Sequence, residues 1–257
     1  MDQVFRRSKA ILPTIARWCL VSTFIEDVLH TWFRWSVVRD TLETRWACGD
    51  VLANLLAAIN MLSQLIASGL VLTRYHVSIG CYVLFGVVVY QTVAYGIGWE
   101  LRIWVNTISR CGALLLLLAE CQTEAPTLLA GVPSDGHNRH KAYLLLTGRI
   151  LTVLYFVAYL YADLQNIYYL MQDIIVVVLV AAVTIGYKTK LSALLLVMWL
   201  MAINCYYNHF WTIDSNILTY YRMMKSFSRV MSAIGGLLMI VVLGPGDLSV
   251  DNNKKNW

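Results

Sequence analysis

Carboxylate, amide and indole side chains gather where three apolar segments end, and together they could hold a peptide by hydrogen bonds and ring contacts. They are Glu26, Asp27, Trp99, Glu100, Asn204, Asn208 and Trp211. Asn204 and Asn208 are four residues apart, so their side chains would share one helical face. The alternative is an aromatic belt at a membrane surface, with carboxylates that cap helices. The residues alone leave both interpretations open.

Four arginines lie within apolar segments, where a charge at mid-bilayer costs about 2.5–3.5 kcal/mol unless it is paired or reaches the surface. They are Arg17, Arg110, Arg149 and Arg229. Arg17 and Arg149 come early in their segments, which favours side chains that extend to the membrane surface, with Glu120 as a candidate partner. For Arg110 and Arg229 a structural role is favoured. A lipid or solute pathway is the alternative for all four.

The remaining reactive residue types show no spacing that indicates catalysis or metal binding. The six cysteines include no CxxC pair, and most lie in apolar segments, where a thiol behaves as a small hydrophobic group. His137 and His140 are three residues apart, but the sequence offers no further ligands beside them. We therefore expect no metal, no cofactor and no enzymatic activity. The basic residues are scattered along the chain, which argues against nucleic-acid binding.

The sequence ends in Lys254, Lys255, Asn256 and Trp257, so two lysines stand at the fourth and third positions from the terminal carboxylate. This is the spacing of a dilysine retrieval signal, which the COPI coat reads in the cytosol. A shift of one residue would turn the side chains of an extended peptide to its opposite face, so the spacing matters. The alternative is that both lysines merely flank a last membrane helix on its positive side.

The composition predicts a membrane protein, because 59% of the 257 residues are hydrophobic and only 14% are charged. A soluble domain buries its core with fewer apolar residues, so the excess should face lipid. We expect an all-α integral membrane protein with about eight transmembrane helices, and a polar connection at 37–46 that lies at the interface. The eight apolar runs are 11–29, 49–73, 77–99, 103–120, 142–162, 169–187, 191–212 and 227–243.

The eight runs fall into two similar groups of four. Thr73-Arg74 and Lys188-Thr189-Lys190 each form a basic turn, while Ile108-Ser109-Arg110 and Phe227-Ser228-Arg229 each open a fourth span. Because four is an even number, both halves would run in the same orientation, as a parallel repeat with a cavity where they meet. The predicted division of one polytopic membrane domain, 1–257, is a first half 1–120, a cytosolic loop 121–141, a second half 142–243 and a cytosolic tail 244–257.

An even number of spans puts both termini on one side of the membrane, and the dilysine tail makes that side the cytosol. The cytosolic segments would then hold ten lysines and arginines against six on the lumenal side, in agreement with the positive-inside rule. Nine carboxylates fall on the lumenal side and six on the cytosolic side. The lumenal end should therefore attract a partner that carries a positive group.

Several specific short strings are distributed along nearly the whole chain. They are Leu12-Pro13-Thr14-Ile15-Ala16-Arg17, Ser22-Thr23-Phe24-Ile25-Glu26-Asp27, Ala130-Gly131-Val132-Pro133, Ile185-Gly186-Tyr187-Lys188-Thr189-Lys190, Ala202-Ile203-Asn204, Phe210-Trp211-Thr212-Ile213, Ile234-Gly235-Gly236-Leu237 and Gly244-Pro245-Gly246. With these strings and its dilysine tail, the sequence resembles the Surfeit locus protein 4 family of endoplasmic reticulum cargo receptors. Its N-terminal segment is shorter than the acidic leader typical of that family.

The resemblance implies a receptor that binds N-terminal segments of soluble secretory proteins in the lumen, loads them into COPII vesicles for the Golgi and returns through COPI. Such a multi-pass protein of the endoplasmic reticulum membrane would cycle through the ER–Golgi intermediate compartment and the Golgi. The family favours a hydrophobic–proline–hydrophobic tripeptide, whose free amino group would seek Asp27 or Glu100. Membrane lipids and a second copy of the chain are further expected partners. The alternative function is a phospholipid scramblase or small-molecule transporter of the early secretory pathway.

Overall fold

The computed structural model describes residues 2–47, 49–95, 101–124, 135–157, 167–212 and 217–244. These residues are almost entirely helical. The helices are α1 Asp2–Phe33, α2 Trp35–Trp46, α3 Asp50–Leu72, α4 Val77–Ala94, α5 Leu101–Glu124, α6 Asp135–Val157, α7 Ile167–Ile185, α8 Thr189–Tyr207 and α9 Ile217–Leu243, with a 3-10 turn at Phe210–Thr212 between α8 and α9.

The helices confirm the predicted all-α membrane fold. Among the residues that the structure describes, five stretches are long and apolar enough to cross a bilayer, and two shorter apolar stretches lie in α6 and α7. Together with α1, which contains the predicted span 11–29, they account for the eight predicted runs. The five longer stretches are Asp50–Leu72, Val77–Ala94, Ile103–Cys121, Thr189–Thr212 and Ile217–Leu243, and the shorter two are Ala142–Phe156 and Asp173–Ile185.

The predicted interfacial connection is an amphipathic helix, α2. Val38 and Leu42 are one turn apart and both are buried, so one face of the helix packs against the bundle. The Trp46 ring donates from Nε1 to the carbonyl oxygen of Ala94 at 3.1 Å, which attaches the end of α2 to α4. Arg39 donates a hydrogen bond to the carboxylate of Asp40 at 2.8 Å, and this hydrogen bond raises the pKa of Arg39.

Two pairs of helices have the closest packing, α9 along α1 and α5 along α6. A side chain on Gly235 would overlap the backbone of Leu20, and one on Gly112 would lie 2.6 Å from the backbone nitrogen of Thr152. A serine stands three residues before each glycine and contacts the same residue of the neighbouring helix. Ser232 donates to the carbonyl oxygen of Leu20 at 3.2 Å, and Ser109 donates to that of Thr152 at 3.1 Å. Small residues are what allows helices to approach this closely in a membrane.

The contacts of the two helix pairs are alike, but they match residues in a different register from the sequence strings. The strings had paired Ser109 with Ser228, whereas equivalent contacts pair Ser109 with Ser232, one helical turn further on. When the helices are aligned by these contacts, Arg110 and Arg229 do not correspond. The two similar serine–arginine strings do not identify equivalent residues, because residues of two helices are equivalent when they contact equivalent backbone positions.

The two basic turns show the same correspondence. The backbone nitrogen of Tyr75 donates to Leu70 O at 3.2 Å, and that of Tyr187 donates to Ala182 O at 2.9 Å. Each turn contains two positive φ angles separated by one residue, at Arg74 and His76 in the first turn and at Gly186 and Lys188 in the second. The shared backbone hydrogen bond and the matching φ angles are what a duplicated helix pair would produce.

Candidate functional site

A cavity of about 420 Å³ lies at the end of the bundle that α2 covers. Helices α1, α2, α3, α4, α5 and α9 all contribute to its wall. The apolar part of the wall comes from Val37 and Val38 of α2, Ile103 of α5 and the ring of Tyr95. The polar part of the wall comes from charged and amide side chains of α1, α3, α4, α5 and α9. The cavity can therefore hold a ligand that is partly apolar and partly charged.

Asp27 is loosely held at the cavity wall. Its Oδ1 lies 3.8 Å from Nζ of Lys225, and its Oδ2 accepts a hydrogen bond from Nε2 of Gln91 at 3.4 Å. Both distances are long for charge-assisted contacts, which are usually shorter than 3 Å. The Lys225 side chain is 45% exposed, so it can withdraw into solvent. Asp27 is consequently available to a cation supplied by a ligand.

Glu26 is more deeply buried, with only 4% of its surface exposed. Its Oε1 has no hydrogen-bond partner among the described residues, and the same holds for Oγ1 of Thr23, Oδ1 of Asn106 and Nε of Arg110. All four residues line the cavity. A buried polar atom without a partner costs about 1–3 kcal/mol, so a ligand that satisfies these atoms would gain affinity.

The charge balance of the described lining differs from the expected negative bias. Two carboxylates, Glu26 and Asp27, face three cations, Arg110, Lys225 and Arg229. The bias was expected from loop charges, whereas Arg110 and Arg229 enter the cavity from within helices α5 and α9. A ligand amine must therefore compete with resident cations, and an oxygen-rich ligand is also favoured.

The other predicted contact residues that the structure describes lie outside this cavity. Asn208 donates from Nδ2 to Oδ1 of Asn204 at 2.8 Å, and Asn204 donates to the carbonyl oxygen of Phe227 at 3.3 Å. This pair links α8 to α9 and does not line the cavity. Trp211 is 55% exposed and packs edge-on against Phe210 and Phe227. Trp99, Glu100, Lys254 and Lys255 lie outside the described residues.

Several lining residues were not singled out from the sequence. They are Thr23, Asn60, Gln91, Asn106 and Lys225. A usable signal was present, because polar side chains within apolar spans normally face the interior of a bundle. Asn60 and Gln91 each interrupt a long apolar stretch. Applied to every span, this rule would have found both amides.

Arg17 forms a buried ion pair with Glu120, the partner suggested from the sequence, and its side chain does not extend to the surface. Its Nε donates to Oε2 at 3.0 Å, and its Nη2 lies 2.9 Å from Oε1, which is a two-point contact. Only 1% of Arg17 is exposed, and Arg149 is also buried. Both side chains are therefore packed within the bundle and do not reach its surface. Glu120 thus compensates a charge that would otherwise be costly.

Comparisons with known proteins cover the whole length of the chain. The SURF4 family model matches residues 1–257. A Surfeit locus protein 4 homolog of Drosophila melanogaster is 44% identical, with 100% of this chain and 94% of the relative covered. The ER-derived vesicles protein ERV29 of Saccharomyces cerevisiae is 28% identical, with 99% and 80% covered. A Surfeit locus protein 4 homolog of Schizosaccharomyces pombe is 29% identical, with 95% and 82% covered. No solved structure matches the chain.

Proposed function

The chain belongs to the SURF4 family, and from this membership we propose that it is a cargo receptor of the endoplasmic reticulum. It binds N-terminal segments of soluble secretory proteins in the lumen and loads them into COPII vesicles for transport to the Golgi. Its relative ERV29 is named as an ER-derived vesicles protein, which supports a place in the early secretory pathway. The protein itself returns to the endoplasmic reticulum through COPI.

The observation that carries this proposal is the cavity with its weakly held carboxylate. We place the cavity at the lumenal end of the bundle, with both chain termini in the cytosol. The ammonium group of a cargo N-terminus replaces Lys225 beside Asp27, which has only the long contacts at 3.8 and 3.4 Å to lose. The charge-assisted bond that forms is stronger than the one it replaces because it is shorter and buried.

The deeper polar atoms suit the peptide backbone that follows the amine. Nε of Arg110 donates to a peptide carbonyl, while Oε1 of Glu26 and Oδ1 of Asn106 accept from peptide N–H groups. Val38 and Ile103 offer apolar surface to the side chains of the first residues. A proline in the second position lowers the conformational entropy that the peptide loses on binding.

A photo-crosslinking experiment tests where cargo binds. A peptide that has a free amino terminus and a photoreactive second residue is added to the purified protein, and the labelled residues are mapped by mass spectrometry. We expect labels on the cavity walls in α1 and α9, around Asp27 and Lys225. Labels confined to Tyr206–Trp211 would instead assign binding to the aromatic segment and overturn the cavity proposal.

Retrieval through COPI depends on the terminal lysines in this proposal. Replacing both residues, in the variant Lys254→Ser/Lys255→Ser, should move most of the protein from the endoplasmic reticulum to later compartments, as seen by fluorescence microscopy. Lys188→Ser/Lys190→Ser is the matched control, because it removes two exposed lysines from a turn that we place on the same side of the membrane. An unchanged location of the first variant would contradict retrieval by this tail.

A further inference from the structure

A second hollow, of about 230 Å³, lies between α3 and α4. Its walls are mainly apolar, with Leu56 and Ile59 on α3 and Val83 and Val87 on α4. Both helices are long and apolar enough to cross a membrane, and Ile59 is an exposed side chain, so the hollow faces the acyl chains of the bilayer. Asn60 lines this hollow and also the charged cavity, so the two spaces adjoin at this side chain.

Arg110 and Arg229 both line the charged cavity. Both line a small pocket together with Ser109 and Ser232 at the contact between α5 and α9. Neither arginine forms an ion pair with a carboxylate of the described residues, and the described contact of Arg110 is a 3.5 Å bond to Thr107. Two neighbouring guanidinium groups repel each other unless an anion lies between them, and phosphate has the geometry to accept from both.

We propose that this cavity binds a phospholipid with a zwitterionic headgroup. The phosphate lies against Arg110 and Arg229, the headgroup amine lies toward Glu26 and Asp27, and one acyl chain passes Asn60 into the hollow between α3 and α4. The lipid thus supplies an anion to the cations of the described lining and a cation to its carboxylates, and its acyl chain fills the apolar hollow. The proposal rests on the same cavity as cargo binding, so lipid and cargo peptide exclude each other.

Photolabelling of the reconstituted protein tests the lipid site. The probe is phosphatidylethanolamine with a photoreactive acyl chain, and its uncharged comparison is diacylglycerol with the same chain. We expect labels from the first probe on α3 and α4 beside Asn60 and Gly86, and about tenfold fewer from the second, which has no phosphate for the arginines. Equal labelling by both probes would show an unspecific acyl contact and would overturn the proposal.

Gly86→Leu is the decisive variant, because a leucine there fills the hollow. A side-chain carbon at Gly86 meets no atom within 4 Å, so the variant should fold. Gly69→Leu is the matched control, since Gly69 is equally open on α3 but does not line the hollow. We expect Gly86→Leu to lower lipid labelling by about tenfold, because the leucine would displace a few methylene groups of the acyl chain from the hollow. Unchanged labelling in Gly86→Leu would contradict the proposed path of the acyl chain.

Two further results separate this proposal from cargo binding. Excess cargo peptide should reduce lipid labelling of the wild-type protein, and undiminished labelling would overturn the shared cavity. Gly86→Leu should still crosslink to the cargo peptide, because its hollow is outside the peptide contacts. Peptide crosslinks without lipid labels would overturn the lipid proposal alone, whereas lipid labels without peptide crosslinks would overturn cargo binding alone.

Discussion

Asp27→Asn is expected to weaken the binding of a cargo peptide with a free amino terminus by about tenfold to a hundredfold. The substitution keeps the size of the side chain and removes the charge that would pair with the peptide ammonium group. A charge-assisted hydrogen bond contributes about 1.5–3 kcal/mol, which corresponds to that loss of affinity. Isothermal titration of the purified protein with a hydrophobic–proline–hydrophobic peptide measures the dissociation constant directly.

Glu43→Gln is the matched control for this experiment. Glu43 is an exposed carboxylate of α2 near the same end of the bundle, but it does not line the cavity. If attraction of the peptide depended only on the overall negative charge of that end, both variants would weaken binding alike. That result would contradict a specific site at Asp27. We expect Glu43→Gln to bind like the wild type.

Glu120→Gln is expected to lower the free energy of unfolding by about 3–5 kcal/mol, the usual cost of removing one partner of a buried ion pair. The Arg17 guanidinium would stay in place with no opposite charge at Oε1 and Oε2, the atoms it now contacts at 2.9 and 3.0 Å. Denaturant titration in detergent micelles would measure the loss as a lower midpoint of unfolding.

The double variant Arg17→Leu/Glu120→Leu distinguishes charge compensation from simple loss of packing. Replacing a buried pair by apolar side chains of similar volume is often neutral or stabilising, so the double variant should regain most of the lost stability. Arg74→Gln removes an exposed arginine from the first basic turn and should leave the midpoint unchanged. If the double variant were as unstable as Glu120→Gln, the pair would not be compensating a buried charge.

The fold could be predicted from the sequence wherever length and hydrophobicity decide the outcome. The runs at 49–73 and 77–99 correspond closely to α3 and α4, because lipid-facing helices need long apolar stretches. The connection 37–46 was placed at the interface, but its helix was not foreseen. Its buried side consists of only Val38 and Leu42, a pattern too short to separate a helix from a loop.

The candidate site was only partly predictable. Glu26 and Asp27 were found because charges at the end of an apolar segment stand out, and the structure brings them together with Arg110 and Arg229. Asn204 was expected to contact a ligand, yet it links α8 to α9 through Phe227. A polar residue in a span must find a partner, but whether that partner is a neighbouring helix or a ligand depends on packing that no local pattern records.

The most direct test of the central claim measures how N-acetylation of the peptide and Asp27→Asn affect each other. Four dissociation constants are needed, for the free and acetylated peptides with the wild type and the variant. If the amine pairs with Asp27, acetylation should weaken binding to the wild type by about tenfold or more and change binding to the variant little. Equal weakening in both proteins would show that the peptide amine binds elsewhere.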